Sequence, residues 1–206
     1  MTSKPLVIIT GASSGIGAAV AKVFSAEGYP VGLIARNGEA MRNLNLPNSM
    51  FAEVDVADYQ QFKKAVENIE AKLGKADCLI NNAGVAKSGD FIEIEHAENE
   101  KMVDVNLSGV INGTEILLPG MRERKTGTVI NISSLADRTS RPHLAVYAAT
   151  KAAVKSFSES LRAANAKYGV RICNIAPAKV LTPMLINANL NNSDIIQVSE
   201  IPSNLS

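Results

Sequence analysis

The chain alternates short runs of β-branched and aliphatic residues with longer segments in which apolar residues recur at helical spacing. Six such runs predict β-strands, and they lie at residues 5–10, 31–35, 51–56, 77–82, 128–133 and 171–176. Because a helix-length segment separates each run from the next, the strands are expected to pair in parallel through right-handed crossovers. The pattern predicts an α/β fold with a doubly wound parallel sheet, helices on both faces and a ligand crevice beyond the carboxyl ends of the strands.

Length and composition favour one domain over residues 1–206. A chain of 206 residues, of which 46% are hydrophobic, is long enough to bury one core and short for two. Lys and Arg total 21 against 20 for Asp and Glu, so the chain has no strong field of either sign to attract nucleic acid or an anionic membrane. Neither partner is expected, and any anionic ligand must be held by local groups.

The first residues and the two cysteines bear on localisation. The apolar run after Lys4 is shorter than the ~7–15 residues of a signal-peptide core or the ~20 residues of a membrane span. Cys78 and Cys173 lie in separate predicted strands, which suits buried thiols in a reducing compartment better than a disulfide. We expect a soluble cytoplasmic protein.

A glycine turn follows the first predicted strand. The sequence T-G-A-S-S-G-I-G at 10–17 leads into a helical pattern, and strand, glycine turn and helix together favour binding of a dinucleotide pyrophosphate at the helix N-terminus. The spacing G-x-x-x-G-x-G differs from the better-known G-x-G-x-x-G, and an ordinary glycine-rich loop is the alternative interpretation. The candidate cofactor-binding residues of the turn are Gly11, Ser13, Ser14, Gly15, Ile16 and Gly17.

The end of the second predicted strand bears on the choice of dinucleotide. Arg36 and Asn37 stand where an NAD-specific site places an acid on the ribose hydroxyl. A guanidinium can grip a 2′-phosphate through two donors, and Ser13 can add a hydroxyl, so NADP is favoured over NAD. The alternative is a solvated arginine at a strand end.

Tyr147 and Lys151 lie four residues apart in a segment, 146–165, that predicts a helix, so they share a face. An ammonium at ~4 Å and an effective dielectric of ~20 contributes about 4 kcal/mol, or about three pKa units, to ionisation of the phenol. The pKa of Tyr147 would then fall to about 7, which suits a general acid/base. Ser134, at the end of the fifth predicted strand, would hold a substrate oxygen against the phenol. A lysine that merely extends to solvent from an amphipathic helix is the alternative.

Six motifs together resemble the short-chain dehydrogenase/reductase family, in its single-domain, NADP-preferring branch. Besides the turn at 10–17 they are D-V at 55–56, N-N-A-G at 81–84, V-N-L-S-G at 105–109, N-I-S-S at 131–134 and Y-A-A-T-K at 147–151. The resemblance extends from residue 5 to about residue 185. It implies a Rossmann-like sheet of strand order 3-2-1-4-5-6.

The resemblance also implies roles for residues at the matching positions. Tyr147 would be the acid/base, Lys151 would lower its pKa and bind the nicotinamide ribose, Ser134 would position the carbonyl or hydroxyl, and Asn106 would hold a water in a proton relay. The remaining cofactor contacts would come from Asp55, Val56, Asn82, Ala83, Gly84, Val180 and Thr182. Without the resemblance, Asn82 would be interpreted as satisfying strand-end backbone groups, and Asn106 as capping or bending a helix.

The chain departs from the family pattern in two places. Pro177-Ala178 replaces the usual Pro-Gly after the sixth strand, so a residue with a Cβ must adopt a backbone shape that glycine reaches easily. The chain also stops at Ser206, where family members continue through a helix and a seventh strand, so residues 183–206 are interpreted as part of a substrate loop and a shortened end. An unpaired sixth strand would favour a homo-oligomer, through helices at 98–121 and 146–168, or poor solubility.

The resulting hypothesis is an NADP-dependent oxidoreductase that moves a hydride between the nicotinamide and a carbonyl or secondary-alcohol substrate. An inactive or regulatory NADP(H)-binding protein is the alternative, and a sugar-nucleotide epimerase or dehydratase is a second one that the chain length opposes. His143 has no partner carboxylate at a spacing that suggests catalysis, and His96 lies in a polar stretch that is interpreted as solvated. No cluster has metal-ligand spacing, so no metal is expected.

Overall fold

The structure, a computed structural model, describes residues 4–139 and 142–187. Six strands form one parallel sheet in the order β3-β2-β1-β4-β5-β6, which confirms the predicted architecture. The strands are β1 (Leu6–Thr10), β2 (Val31–Ala35), β3 (Ser49–Glu53), β4 (Ala76–Asn81), β5 (Gly127–Ile132) and β6 (Val170–Ile175). The third strand was predicted at 51–56, and it ends at Glu53 because it pairs residue for residue with the five residues of β2.

Helices connect the strands and cover both faces of the sheet. They are α1 (Gly15–Ala26), α2 (Gly38–Arg42), α3 (Tyr59–Leu73), α4 (His96–Val103), α5 (Gly109–Arg124), α6 (Ala145–Asn165) and α7 (Pro183–Asn187). Short 3₁₀ turns lie at Phe91–Glu93, Leu135–Asp137 and Ala166–Tyr168. Helical backbone spans the range 98–121 at which one long helix was predicted, and a π-helical turn at Asp104–Ser108 joins α4 to α5 within it. No helix among the described residues is both long and apolar enough to cross a bilayer.

The core consists of two apolar layers, one on each face of the sheet. Leu6 and Ile8 of β1 pack in the layer that contains Phe62 of α3, whereas Val7 and Ile9 pack in the layer that contains Ala21 of α1. Consecutive residues of a strand point to opposite faces, so a strand covered on both faces must be apolar throughout. The continuous apolar runs of the sequence have this origin.

Strand β6 ends the described sheet and is covered on one face. Val170 and Ile172 are buried, whereas Arg171, Cys173 and Ile175 on the opposite face are exposed. The prediction of two buried thiols is therefore wrong for Cys173, while Cys78 of β4 is half-buried. Residues 188–206, most of the segment interpreted as a substrate loop and shortened end, lie outside the described residues.

Candidate active site

A cleft of about 1000 Å³ lies at the carboxyl ends of the strands, where the fold predicts a ligand crevice. It extends from the glycine turn past the ends of β2 and β3 to the start of α6 and to α7. The predicted site residues that line it are Gly11, Ser13, Ser14, Gly15, Ile16, Arg36, Asn37, Asp55, Val56, Asn82, Ala83, Gly84, Ser134, Tyr147, Lys151, Val180 and Thr182. Gly17 and Asn106 are the two predicted residues that lie behind its wall.

The glycine turn passes closely beneath the loop that follows β4. Gly11 has a φ of 65°, and a Cβ there would lie 2.8 Å from the Cα of Ala83. A Cβ on Gly17 would lie 2.5 Å from Nδ2 of Asn82, so neither glycine has room for a side chain. Ser14 precedes α1 but, within the described part of the chain, no side chain caps the first turn. The first N–H groups of α1 are therefore available to an anion at the cleft.

Thr10 and Asn82 bind these two segments together. Oγ1 of Thr10 accepts hydrogen bonds from the backbone N–H groups of Asn82 and Ala83, each at 3.0 Å. Nδ2 of Asn82 donates to the carbonyl oxygens of Thr10 at 3.0 Å and Gly11 at 3.3 Å. Asn82 thus satisfies strand-end backbone groups while it lines the cleft. No role for Thr10 was predicted, although a hydroxyl at the end of an apolar strand is a usable signal in the sequence.

The segment after β6 closes over the glycine turn. A Cβ on Gly15, whose φ is 53°, would lie 3.1 Å from the side chain of Thr182. Among the described residues, the non-glycine residues with positive φ are Asn45, Asn48 and Lys125, so Ala178 has an ordinary φ. The strain anticipated at Pro177-Ala178 is therefore not observed.

Charged and polar side chains lie at the end of the cleft formed by β2 and β3. Nη1 of Arg36 lies 3.8 Å from Oδ2 of Asp55, and the two side chains are 54% and 40% exposed. Oδ1 of Asp55 also accepts a hydrogen bond from the N–H of Ala57 at 3.0 Å. The side chain of Asn37 accepts from the N–H of Ala40 at 2.9 Å and so caps α2. The Asp55 carboxylate therefore partly offsets the charge of Arg36, and this pairing was not predicted from the sequence.

Tyr147 and Lys151 both enter the cleft from the first turns of α6, as their spacing predicts. Nζ of Lys151 lies 5.8 Å from the centroid of the Tyr147 ring and donates to the carbonyl oxygen of Ile132 at 2.9 Å. The side chain of Lys151 is buried. Oγ of Ser134 accepts from the N–H of Ala136 at 3.2 Å, which fixes this hydroxyl at the end of β5.

Burial governs the ionisation of both groups. It raises the pKa of Tyr147 above its ordinary value, and a hydrogen bond with Ser134 opposes this increase. The same cause lowers the pKa of Lys151 to about 8. The expected fall in the pKa of Tyr147 is therefore wrong, because burial of the phenol is the largest influence on its pKa and raises it. At neutral pH the site holds a neutral phenol beside an ammonium.

A buried polar network supports the turn that carries Ser134. Oγ of Ser133 donates to Oδ2 of Asp137 at 2.6 Å, and Nε of Arg138 donates to Oδ1 at 2.6 Å. Burial alone would raise the pKa of Asp137, but the hydrogen bonds from Arg138 and Ser133 outweigh it and hold the pKa below its usual range. This network was not predicted from the sequence, since a single Asp in a loop, between Ala136 and Arg138, has no distinctive spacing.

Asn106 lies in the π-helical turn and is fully buried. Its Oδ1 accepts from the N–H of Val85 at 2.8 Å, and its Nδ2 donates to the carbonyl oxygen of Val85 at 2.9 Å and to Oγ1 of Thr150 at 3.2 Å. Both ends of the amide are engaged with protein. In this structure Asn106 holds the loop after β4 against α6, so its role in a proton relay stays a prediction.

The two histidines differ in position. His143 lines the cleft, whereas Nε2 of His96 lies 3.4 Å from Oε1 of Glu100 on the surface of α4. Among the residues that the structure describes, no group of three or more His, Cys, Asp or Glu side chains is placed to hold a metal ion.

Fold and site together define a nucleotide-binding class of α/β protein with a Ser, Tyr and Lys group in the cleft, and comparison with known proteins gives the family. The family model described as short chain dehydrogenase matches residues 5–193. An uncharacterized oxidoreductase of Listeria monocytogenes is 37% identical over 188 residues, which cover 87% of this chain and 76% of the relative. The chain therefore belongs to the short-chain dehydrogenase/reductase family and is an oxidoreductase.

Other relatives are similar in sequence and structure. The acetoacetyl-CoA reductase of Paracoccus denitrificans is 32% identical over 195 residues, covering 93% of this chain and 81% of that protein. A 3-ketoacyl-(acyl-carrier-protein) reductase from Brucella melitensis complexed with NADH has a TM-score of 0.89 at 28% identity and 94% and 86% coverage. A gluconate 5-dehydrogenase from Burkholderia cenocepacia in complex with NADP and tartrate has a TM-score of 0.80 at 31% identity and 88% and 73% coverage.

Proposed function

We propose that this chain is an NADP-dependent oxidoreductase that transfers a hydride between the nicotinamide and a carbonyl or secondary-alcohol substrate, with Tyr147 as general acid/base. The observation that carries the proposal is that Ser134, Tyr147 and Lys151 line the same cleft as the uncapped start of α1. A proton-transfer group and an anion-binding turn are thereby brought into one cavity. This is the combination that hydride transfer from a dinucleotide to a carbonyl needs.

The cleft residues fit a dinucleotide. Its volume of about 1000 Å³ is at the upper end of ordinary ligand sites, as an extended cofactor requires. The first N–H groups of α1 suit the pyrophosphate, and the glycines leave the backbone exposed to it. Arg36 supports NADP, although similar structures contain NADH in one case and NADP in another. Asp55, Val56, Asn82, Ala83 and Gly84 are proposed to hold the adenosine, and Val180 and Thr182 the nicotinamide half.

A bound nicotinamide supplies or accepts the hydride. The chain's own residues manage the proton and the substrate oxygen. Because burial raises the pKa of Tyr147, its phenol carries a proton at neutral pH and can donate it to a carbonyl oxygen that becomes negative during reduction. The Ser134 hydroxyl donates a hydrogen bond to the same oxygen, and the Lys151 ammonium stabilises the phenolate that remains. These protonation states favour the reducing direction.

The test follows NADPH absorbance with a panel of aldehydes, ketones and diketones, using the wild type and Tyr147→Phe. We expect the substitution to reduce turnover by about 10²–10⁴-fold, the usual contribution of a general acid, with NADPH affinity little changed. Wild-type turnover that survives in Tyr147→Phe would contradict the assigned role. NADPH binding without turnover on the whole panel would instead support the inactive, dinucleotide-binding alternative.

We also propose a cytoplasmic homo-oligomer. A shallow apolar groove of about 360 Å³ runs between the π-helical turn and α6, and Val103, Leu107, Val146 and Ala149 line it. Val103 is 41% exposed, so this surface presents apolar side chains to solvent. It lies on the helices through which the sequence predicts association, and it supports packing against the same surface of a second copy.

A further inference from the structure

Glu53, the last residue of β3, lies beside the proposed ribose end of the cleft. It pairs with Ala35 of β2, and Ala35 leads directly into Arg36 and Asn37. The Glu53 carboxylate packs against Gly38, because a Cβ built on Gly38 would overlap one of its oxygens and lie 3.2 Å from its Cδ. Gly38 is buried, while Glu53 itself is exposed. The carboxylate thus lies next to the backbone at which β2 turns into α2.

Two further carboxylates share this end of the molecule. Asp55 pairs with Arg36 at 3.8 Å, and Glu39 is exposed in the first turn of α2. The guanidinium of Arg42 lies 5.4 Å from the centroid of the Phe51 ring. In this part of the described chain three acidic side chains, Glu39, Glu53 and Asp55, therefore outnumber the two arginines, Arg36 and Arg42. The Arg36 guanidinium, which favours a 2′-phosphate, therefore lies among acidic side chains.

We infer that Glu53 is a cofactor-specificity residue, whose carboxylate limits the preference for NADP that Arg36 confers. The inference rests on the proposed dinucleotide site. NADP differs from NAD by a phosphate that carries about −1.5 to −2 charges at neutral pH, so a carboxylate near this phosphate repels NADP and leaves NAD largely unaffected. The sequence analysis considered an acid only at the end of β2, where none is present. The acid is supplied by the neighbouring strand.

The test is Glu53→Gln, which removes the charge and keeps a side chain of the same shape over Gly38. NADPH and NADH are titrated separately into the wild type and the variant, and Kd is measured from the cofactor's fluorescence. We expect the Kd for NADPH to fall by about tenfold in 50 mM salt, with the Kd for NADH within about twofold of the wild-type value. In 1 M salt, where the Debye length is about 3 Å, the gain should largely disappear.

Two matched variants complete the experiment. Glu67→Gln makes the same charge change on the exposed face of α3 and should leave both Kd values unchanged, which excludes an effect of net charge. Arg36→Gln should weaken NADPH and leave NADH unchanged. Equal changes for both cofactors in Glu53→Gln, or an unchanged ratio of Kd values, would overturn the inference while the dinucleotide site stands. Failure of both NADPH and NADH to bind the wild type would overturn the proposed function itself.

Discussion

At the scale of single residues, burial of the Lys151 side chain lowers the free energy of unfolding. Its pKa falls from 10.5 to about 8 because the folded protein disfavours the buried charge. Below pH 8 the lysine is charged in both the folded and the unfolded chain, and the folded state bears the full cost. Between pH 8 and 10.5 the unfolded chain binds more protons, so this residue makes the protein more stable as the pH rises.

Lys151→Met tests this cost. The lowered pKa of Lys151 corresponds to at most about 3 kcal/mol of destabilisation at pH 7. Loss of the hydrogen bond to the carbonyl oxygen of Ile132 offsets about 1 kcal/mol of this, so we expect the variant to be about 2 kcal/mol more stable at pH 7. The advantage should shrink towards pH 10. Denaturant unfolding at several pH values measures it. An advantage that does not change with pH would show that burial of charge is not its source.

Thr10 makes a second prediction at the scale of one residue. Thr10→Val preserves the shape of the side chain but leaves the N–H groups of Asn82 and Ala83 without their acceptor. We expect a loss of about 2 kcal/mol in the free energy of unfolding and weaker dinucleotide binding. Thr10→Ser retains the hydroxyl and should restore most of both properties. If serine and valine behave alike, the hydrogen bonds are not responsible.

At the scale of elements, the connection between α4 and α5 contains a local irregularity that the helix prediction lacked. One helix was predicted at 98–121, and the backbone is helical over this range, with a π-helical turn at Asp104–Ser108 that shifts the helical register. The shift accompanies the placement of Asn106 against the loop after β4, where it bonds both backbone groups of Val85. Apolar periodicity reports which face is buried and does not reveal such a local change of register.

Asn106→Ala tests the function of this turn. The substitution leaves the N–H and C=O of Val85 without partners, so we expect the free energy of unfolding to fall by about 2–3 kcal/mol. Asn99→Ala on α4 is the matched control, because its buried Oδ1 accepts no hydrogen bond from any described residue, and its effect should stay within about 0.5 kcal/mol. Equal losses in the two variants would contradict a specific role for Asn106.

At the scale of the whole molecule, the apolar groove beside α6 predicts self-association. Ala149 is exposed in this groove, so Ala149→Arg should fold normally while placing a charge where a second copy would pack. We expect gel filtration of the variant to show a smaller species than the wild type. Ala163→Arg, also exposed on α6 but outside the groove, should elute with the wild type. A wild type that elutes as a clean monomer would contradict the proposed oligomer.

The whole sheet also explains which errors the sequence analysis made about burial. Cys173 lies in an apolar run and was expected to be buried, yet it is exposed because β6 is covered on one face. A strand with one covered face and a strand with two can have similar apolar content. Whether a thiol meets solvent depends on what packs over the strand, and this is a property of the complete arrangement.

The sequence by itself determined the alternation of strands and helices along the chain, the glycine turn and the shared face of Tyr147 and Lys151. Strand periodicity, the φ values that glycine permits and helical spacing are all local properties. Only the tertiary structure decided that Thr10 bonds the loop after β4, 72 residues away, that Asn106 bonds Val85, 21 residues away, and that Arg36 meets Asp55. It also decided that burial raises the pKa of the Tyr147 phenol. Hydrogen-bond partners and burial depend on groups brought together by folding, and no spacing along the chain encodes them directly.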